Sequence, residues 1–263
     1  MPCLLFEGQG ESLENAKFVR GGPMTTHAHT PALVSSRLLP GYDTVARLSG
    51  AVPMYWRLLA QAGIGPRDRV LEIGCGTGNV LLRAKEAVPT ATVRGVDPDP
   101  DAVAMARRKA AEAGVELELQ VGVAEDLPLD DGSVDRVLSS LMLHHIAADT
   151  RVAALREVHR VLAPGGSLHL VDLDDDPRTG GRMHTVNRVL SLLARLDPAH
   201  RRSRHGGHGH GHGHGHGHGH GRGHGHGQQP VPELLAAAGF TGAAVVGHGT
   251  TRMGPVTYYR AER

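Results

Sequence analysis

Between Arg69 and Asn79 the chain reads Arg-Val-Leu-Glu-Ile-Gly-Cys-Gly-Thr-Gly-Asn, an apolar run that ends in three glycines at alternate positions. Val70 to Ile73 has the length and composition of a buried strand, and a helix pattern opens at Asn79. A glycine turn between a strand and a helix leaves bare backbone and unpaired helix N–H groups exposed, a place where a ligand can lie against the main chain. The spacing of Gly74, Gly76 and Gly78 is G-x-G-x-G, not the G-x-G-x-x-G of dinucleotide folds. Glu72 stands two residues before the first glycine. Asp97 stands at the end of the next strand, where a carboxylate is placed to accept two vicinal hydroxyls. Cys75 has no neighbour in sequence that would lower its pKa other than the helix N-terminus, and it reads as a small residue of the loop.

Strands and helices alternate around this turn. Helical periodicity from Thr44 to Ala62 is expected to break into two helices at Pro53. Strands are expected at Arg69–Ile73, Ala91–Val96, Glu116–Val121, Val134–Ser140 and Ser167–Leu173. Helices are expected at Asn79–Val88, Asp99–Ala113 and Thr150–Leu162, the last closed by Pro164-Gly165-Gly166. A further helix fits Met183–Leu196. A short helix at Pro232–Ala238 and strands at Thr241–Val246 and Val256–Ala261 end the pattern. Such alternation implies an α/β fold, a largely parallel sheet with helices on both faces. Residues 1–40 lack a sustained period and read as a flexible N-terminal arm. Gly21-Gly22 ahead of Met24 also allows a start at Met24. The domain then runs over 41–263.

Within that domain, residues 205–227 are nearly strict His-Gly alternation with ten histidines. Glycine at every second position and no apolar face mark a low-complexity insertion without a packed core. Imidazoles such as His208, His210, His212, His214, His216, His218 and His220 can gather adventitiously around Zn, Ni or Cu.

Composition excludes several classes. The formal net charge is +1 and aromatics are 3%, so neither a nucleic-acid surface nor a membrane-attracting patch is built in. Two cysteines cannot form a disulfide framework, and no signal peptide or membrane span is readable, which points to the cytoplasm.

Five segments now line up: Val70–Gly78; Gly95-Val96-Asp97-Pro98; Ala124-Glu125-Asp126-Leu127-Pro128; Val134-Asp135-Arg136-Val137 followed by Leu143-His144-His145-Ile146; and Arg160 to Gly166. In this order and spacing they resemble the class I S-adenosylmethionine-dependent methyltransferases, in particular the small-molecule group that includes ubiquinone and menaquinone biosynthesis enzymes. The resemblance runs from Val70 to Leu173. It implies a Rossmann-like methyltransferase fold with a seven-stranded sheet of order 3-2-1-4-5-7-6, strand seven antiparallel. It also implies methyl transfer from S-adenosylmethionine to a small-molecule acceptor.

Carried over by position, the resemblance places Glu72 near the methionine amino group. Gly74, Cys75, Gly76 and Gly78 lie along the methionine and ribose. Asp97 falls on the ribose hydroxyls, Pro98 near the adenine, Ala124 and Glu125 at the adenine edge, and Leu141 and Met142 facing the cofactor. The family usually carries Asp where this chain has Val123, and a valine cannot accept a bond from the adenine amino group. Either Glu125 or Asp126 takes over, or the cofactor is held more weakly.

In-line displacement on an activated sulfonium needs positioning more than side-chain chemistry, and a base only where the acceptor loses a proton. His144 and His145 are the candidates for such a base. A helix-entry role is the favoured alternative for both. Asp172 and the run Asp174 to Asp176 offer carboxylates for a metal site, but a solvated loop after the fifth strand is the preferred reading. Tyr42, Tyr55 and Trp56 are candidate acceptor-pocket walls, with core packing the preferred role for Trp56. Two other functions stay open from the residues alone: a metal-handling protein built around the His-Gly tract on a vestigial domain, and an NAD-type oxidoreductase.

Overall fold

The structure is a computed structural model that describes residues 49–174 and 229–263. The expected arm, Tyr42, the expected helix at Met183–Leu196 and the His-Gly tract lie outside the described residues.

The described elements are α1 (Ala51–Ala62), β1 (Arg69–Ile73), α2 (Asn79–Ala87), β2 (Thr92–Asp97), α3 (Pro100–Glu112), β3 (Glu118–Val121), β4 (Val134–Ser140), a 3-10 turn (Leu143–His145), α4 (Arg151–Val161), β5 (Leu162–Leu173), α5 (Val231–Ala237), β6 (Thr241–Thr251) and β7 (Gly254–Glu262). The described strands form a seven-stranded sheet in the order β3-β2-β1-β4-β5-β7-β6. β1 to β5 pair in parallel, while β7 runs antiparallel to both β5 and β6. The expected order and the single reversed strand are both present.

Strand alternation divides the core in two. Val70, Leu138 and Val171 face α1, α2 and α3, and meet Leu58, Leu81 and Val103. Leu71, Val137 and Leu170 face α4 and α5, and meet Leu155, Val158 and Leu235. Leu58, Leu71, Leu81 and Leu138 are fully buried. Each contributes about 1.5–3 kcal/mol of burial, and truncating one to Ala costs about 2–5 kcal/mol.

Two local expectations are corrected. Pro53 does not split a helix: it lies in the first turn of α1, where its missing N–H has no intrahelical partner to lose. Pro164-Gly165-Gly166 does not separate α4 from a later strand. β5 starts at Leu162, which pairs with Val134, and the ladder shifts register before Arg136 meets Ser167. At Gly166 a side chain would press on the carbonyl oxygens of Ala163 and Asp135 at 2.9 and 3.0 Å, so the chain must be bare there.

Two arginines fasten the frame. Arg69 grips Asp135 with its own N–H and two guanidinium bonds of 2.8–3.0 Å, tying β1 to β4 and holding Asp135 below the usual carboxylate range. Arg160 donates to the carbonyls of Leu127 and Leu129 and to Glu157 and Asp131, fixing the approach to β4. α3 begins on Asp99, whose carboxylate accepts from the N–H groups of Asp101 and Ala102, with Pro100 in the first turn.

Candidate functional site

The carboxyl ends of β1, β2 and β4 converge on one rim, where ligands bind in open parallel sheets. The loop after β1 is pinned to β2: the N–H groups of Gly74 and Cys75 donate to the Val96 carbonyl at 2.8 and 3.2 Å. Gly74, Gly76 and Gly78 have φ of +65°, +50° and +76°, a region L-residues rarely adopt. The three glycines serve different ends. A side chain at Gly74 would collide with Met142, and one at Gly78 would touch Ala106 at 3.0 Å. A side chain at Gly76 would enter open space. Gly74 and Gly78 are therefore bare for packing, whereas Gly76 borders open space.

Beneath the loop lies Glu72, 1% exposed. Its Oε1 accepts the Ser140 hydroxyl at 3.1 Å, while Oε2 is buried without a hydrogen-bond partner. Burial drives the Glu72 pKa well above the ordinary range; the Ser140 bond opposes this and the Asp97 charge adds to it. Asp97 is also buried, but its Oδ2 accepts from Gly76 N–H at 2.7 Å and its Oδ1 from Asp99 N–H at 2.9 Å. Burial raises its pKa, and the two backbone bonds oppose the rise. Asp97 thus braces the loop as well as facing the rim. Burial pushes the Cys75 thiol far up, with Glu72 and Asp97 adding to the shift, which disfavours the nucleophilic thiolate.

At the end of β2 the Gly122 N–H donates to the Asp97 carbonyl at 3.1 Å, bringing the segment after β3 to the same rim. Val123 to Asp126 closes into a tight turn with Ala124 and Glu125 at its tip, both half-buried. Pro98 is exposed on the other side of Asp97.

After β4 the chain turns sharply. Leu141 has φ +54°, the single non-glycine residue with positive φ among those described, and its N–H donates to the Val171 carbonyl at 2.9 Å. A residue held there costs about 1–3 kcal/mol, typical of backbone shaped by a site. The turn carries Met142 onto Gly74 and places His144 beside Asp172. His144 Nδ1 lies 2.5 Å from Asp172 Oδ1, and the His144 backbone N–H donates to Oδ2 at 3.0 Å. The His145 ring lies 4.0 Å from that of His144. Partial desolvation and then the His144 neighbour hold His145 below the usual imidazole range, with Asp172 opposing.

Every expected cofactor residue among those described therefore borders the rim or the loop beneath it. Three features were not read from sequence: Ser140 under Glu72, the strained Leu141, and Asp172 behind His144. Asp172 is a buried residue of β5, not part of a solvated loop. Its position in an apolar strand pattern was the available signal. Tyr55 is buried in the core, whereas Trp56 is 37% exposed, against the preference for packing it inside. No group of three or more His, Cys, Asp or Glu among the described residues is arranged to hold a metal ion. No described helix is long and apolar enough to cross a membrane.

Residues 70–166 match the methyltransferase domain family. A demethylmenaquinone methyltransferase of Thermus thermophilus is 36% identical over 167 residues, which cover 61% of this chain and 75% of that relative. A ubiquinone/menaquinone biosynthesis C-methyltransferase of a Geobacter species is 30% identical over 141 residues, 51% of this chain and 59% of the relative, so the match spans less than two thirds of that protein. A SAM-dependent methyltransferase from Aquifex aeolicus superposes with a TM-score of 0.54 at 16% identity, covering 87% of this chain and 98% of the other; this likeness concerns the fold. The chain belongs to the class I S-adenosylmethionine-dependent methyltransferase family.

Proposed function

We propose that the chain moves a methyl group from S-adenosylmethionine to a small-molecule acceptor by in-line displacement. One observation carries this reading: the buried, unpartnered Oε2 of Glu72 lies beneath the glycine loop whose Gly76 borders open space. An orphan carboxylate oxygen of this kind asks for a cationic donor, and the ammonium of S-adenosylmethionine is one. When bound, the cofactor supplies an electrophilic methyl group on a sulfonium.

The remaining roles fall to the chain. Glu72 would hold the ammonium, with Ser140 fixing the carboxylate. Asp97 would accept the ribose hydroxyls while Gly76 N–H keeps it in place. Pro98, Ala124 and Glu125 would border the adenine, and Gly74, Cys75 and Gly78 would shape the loop along the methionine and ribose. Leu141 and Met142 would face the reacting end. With Nδ1–H turned to the Asp172 carboxylate, Nε2 of a neutral His144 would be the lone-pair nitrogen. That nitrogen would take a proton from an acceptor that must lose one, with Asp172 fixing the tautomer and steadying the imidazolium. Acceptors that are O–H or activated C–H acids suit this pair. The relatives named for quinone biosynthesis support a small-molecule acceptor. An oxidoreductase reading does not fit the family.

The test is incubation with isotope-labelled S-adenosylmethionine and a metabolite extract, with mass spectrometry of the product. Label appearing in a small molecule is expected. Cofactor binding without transfer to any extract component would overturn the acceptor reading.

A further inference from the structure

Glu72 is buried to 1% exposure beneath the loop, and its surroundings do not suit an ionised carboxylate. One oxygen has a single neutral donor, the Ser140 hydroxyl of β4; the other has none. The charged group acting on it is the Asp97 carboxyl at the end of β2, which has the same sign, and the Cys75 thiol of the loop stands beside both. A dry carboxylate with one neutral donor and an acidic neighbour is strongly disfavoured relative to its protonated form. Asp97 differs, because two backbone N–H groups stabilise its charge.

We propose that Glu72 carries a proton in the ligand-free protein and releases it to solvent when a ligand ammonium docks on Oε2, so that the cofactor is bound in exchange for one proton. The exchange balances: a neutral carboxylic acid and a free ammonium become a carboxylate–ammonium pair, and one proton leaves. This rests on the cofactor reading above and goes beyond it. Recognition is then specific for the amino-acid part of the ligand, since a ligand without an ammonium gives Glu72 no reason to ionise. Affinity for the cofactor also rises with pH while free Glu72 holds its proton and bound Glu72 does not, by up to about tenfold per pH unit.

The test is isothermal titration of the full chain with S-adenosylhomocysteine, which keeps the ammonium and is chemically inert here. Titrations at pH 6.5 in two buffers of different ionisation heat give the protons released. About one is expected, together with a fall in Kd of up to about tenfold from pH 6 to pH 7, where the ligand amine stays charged. 5′-Methylthioadenosine, which has the adenine and ribose but no amino acid, should bind and release none; any proton it did release would belong to Asp97. Glu72→Gln should bind S-adenosylhomocysteine more weakly and without proton release, which separates Glu72 from His144 and His145. If that variant does not fold, the comparison of the two ligands on the wild type decides. Binding of S-adenosylhomocysteine with no proton release overturns the exchange and leaves the cofactor site standing. Failure of both ligands to bind overturns the cofactor reading itself.

Discussion

His144 Nδ1 lies 2.5 Å from Asp172 Oδ1, and the other oxygen of the same carboxylate takes the His144 backbone N–H. A buried aspartate on β5 thus fixes both the main chain and the ring of a residue that follows β4. Asp172→Asn keeps the shape but gives Nδ1 no anion to face. Loss of a charged hydrogen-bond partner in a buried site costs about 1–3 kcal/mol. We expect lowered stability in urea, unchanged S-adenosylhomocysteine affinity, and a large loss of methyl transfer to the extract acceptor. Equal transfer by wild type and Asp172→Asn would assign the pair a purely structural role.

The glycine loop predicts a contrast between neighbours. Gly76→Ala should fold with a penalty of about 1–2 kcal/mol for a side chain at positive φ, and should lose most cofactor affinity because its Cβ enters the open space where the proposed cofactor would lie. Gly74→Ala should instead damage the fold, since Met142 occupies the space. Thermal unfolding and calorimetry on the two variants separate these effects. A Gly76→Ala protein that binds S-adenosylhomocysteine like wild type would move the ligand elsewhere.

After β3, Val123 begins the turn that closes at Asp126, and Glu125 sits at its tip. If Glu125 has taken over the adenine amino group, Glu125→Ala weakens S-adenosylhomocysteine by about 1.5–3 kcal/mol, the scale of a hydrogen bond to a charged group. Val123→Asp then changes little. The opposite pattern, tightening by Val123→Asp and indifference to Glu125→Ala, would assign the position to an unfilled contact.

His169 predicts an acid limit on stability. The ring is 2% exposed on β5, between the Ser167 hydroxyl at 2.9 Å and the Gln61 amide of α1 at 3.3 Å. Burial, then the charges of Arg260 and Arg136, lower its pKa to about 4. The unfolded imidazole titrates near 6.5, so between about 6.5 and 4 the unfolded chain binds the extra proton. Stability from this group is complete above pH 6.5 and falls as pH drops toward 4, by about 3 kcal/mol in all. Urea unfolding at pH 7 and pH 4.5 should show this loss in wild type and a smaller one in His169→Gln.

The His-Gly tract lies outside every cofactor segment of the sequence. Deleting residues 205–227 should leave S-adenosylhomocysteine affinity unchanged and remove most uptake of Ni or Zn. That uptake should vanish at acidic pH, because protonated imidazoles do not coordinate. Loss of cofactor binding on deletion would make the tract part of the site.

What the sequence determined by itself was whatever is local. Val70 to Asn79 specifies a strand, a bare turn and the start of a helix because side-chain period and glycine freedom act over a few positions. The boundaries of β1 and β4 read from pattern coincide with those observed. Tertiary structure decided what depends on register. Ser140 reaches Glu72 across 68 positions, and Asp172 reaches His144 across 28, because parallel pairing of β4 with β1 and β5 brings those rows level at the rim. It also extended β6 to Thr251, past the apolar run that marked it, because β7 supplies backbone partners where side chains give no signal. Pro53 reads as a helix breaker from sequence, which shows the missing N–H but not that it falls in a first turn. Hydrophobic period and glycine set the local path of the chain, whereas the proton-bearing contacts of the site arise from strands laid side by side.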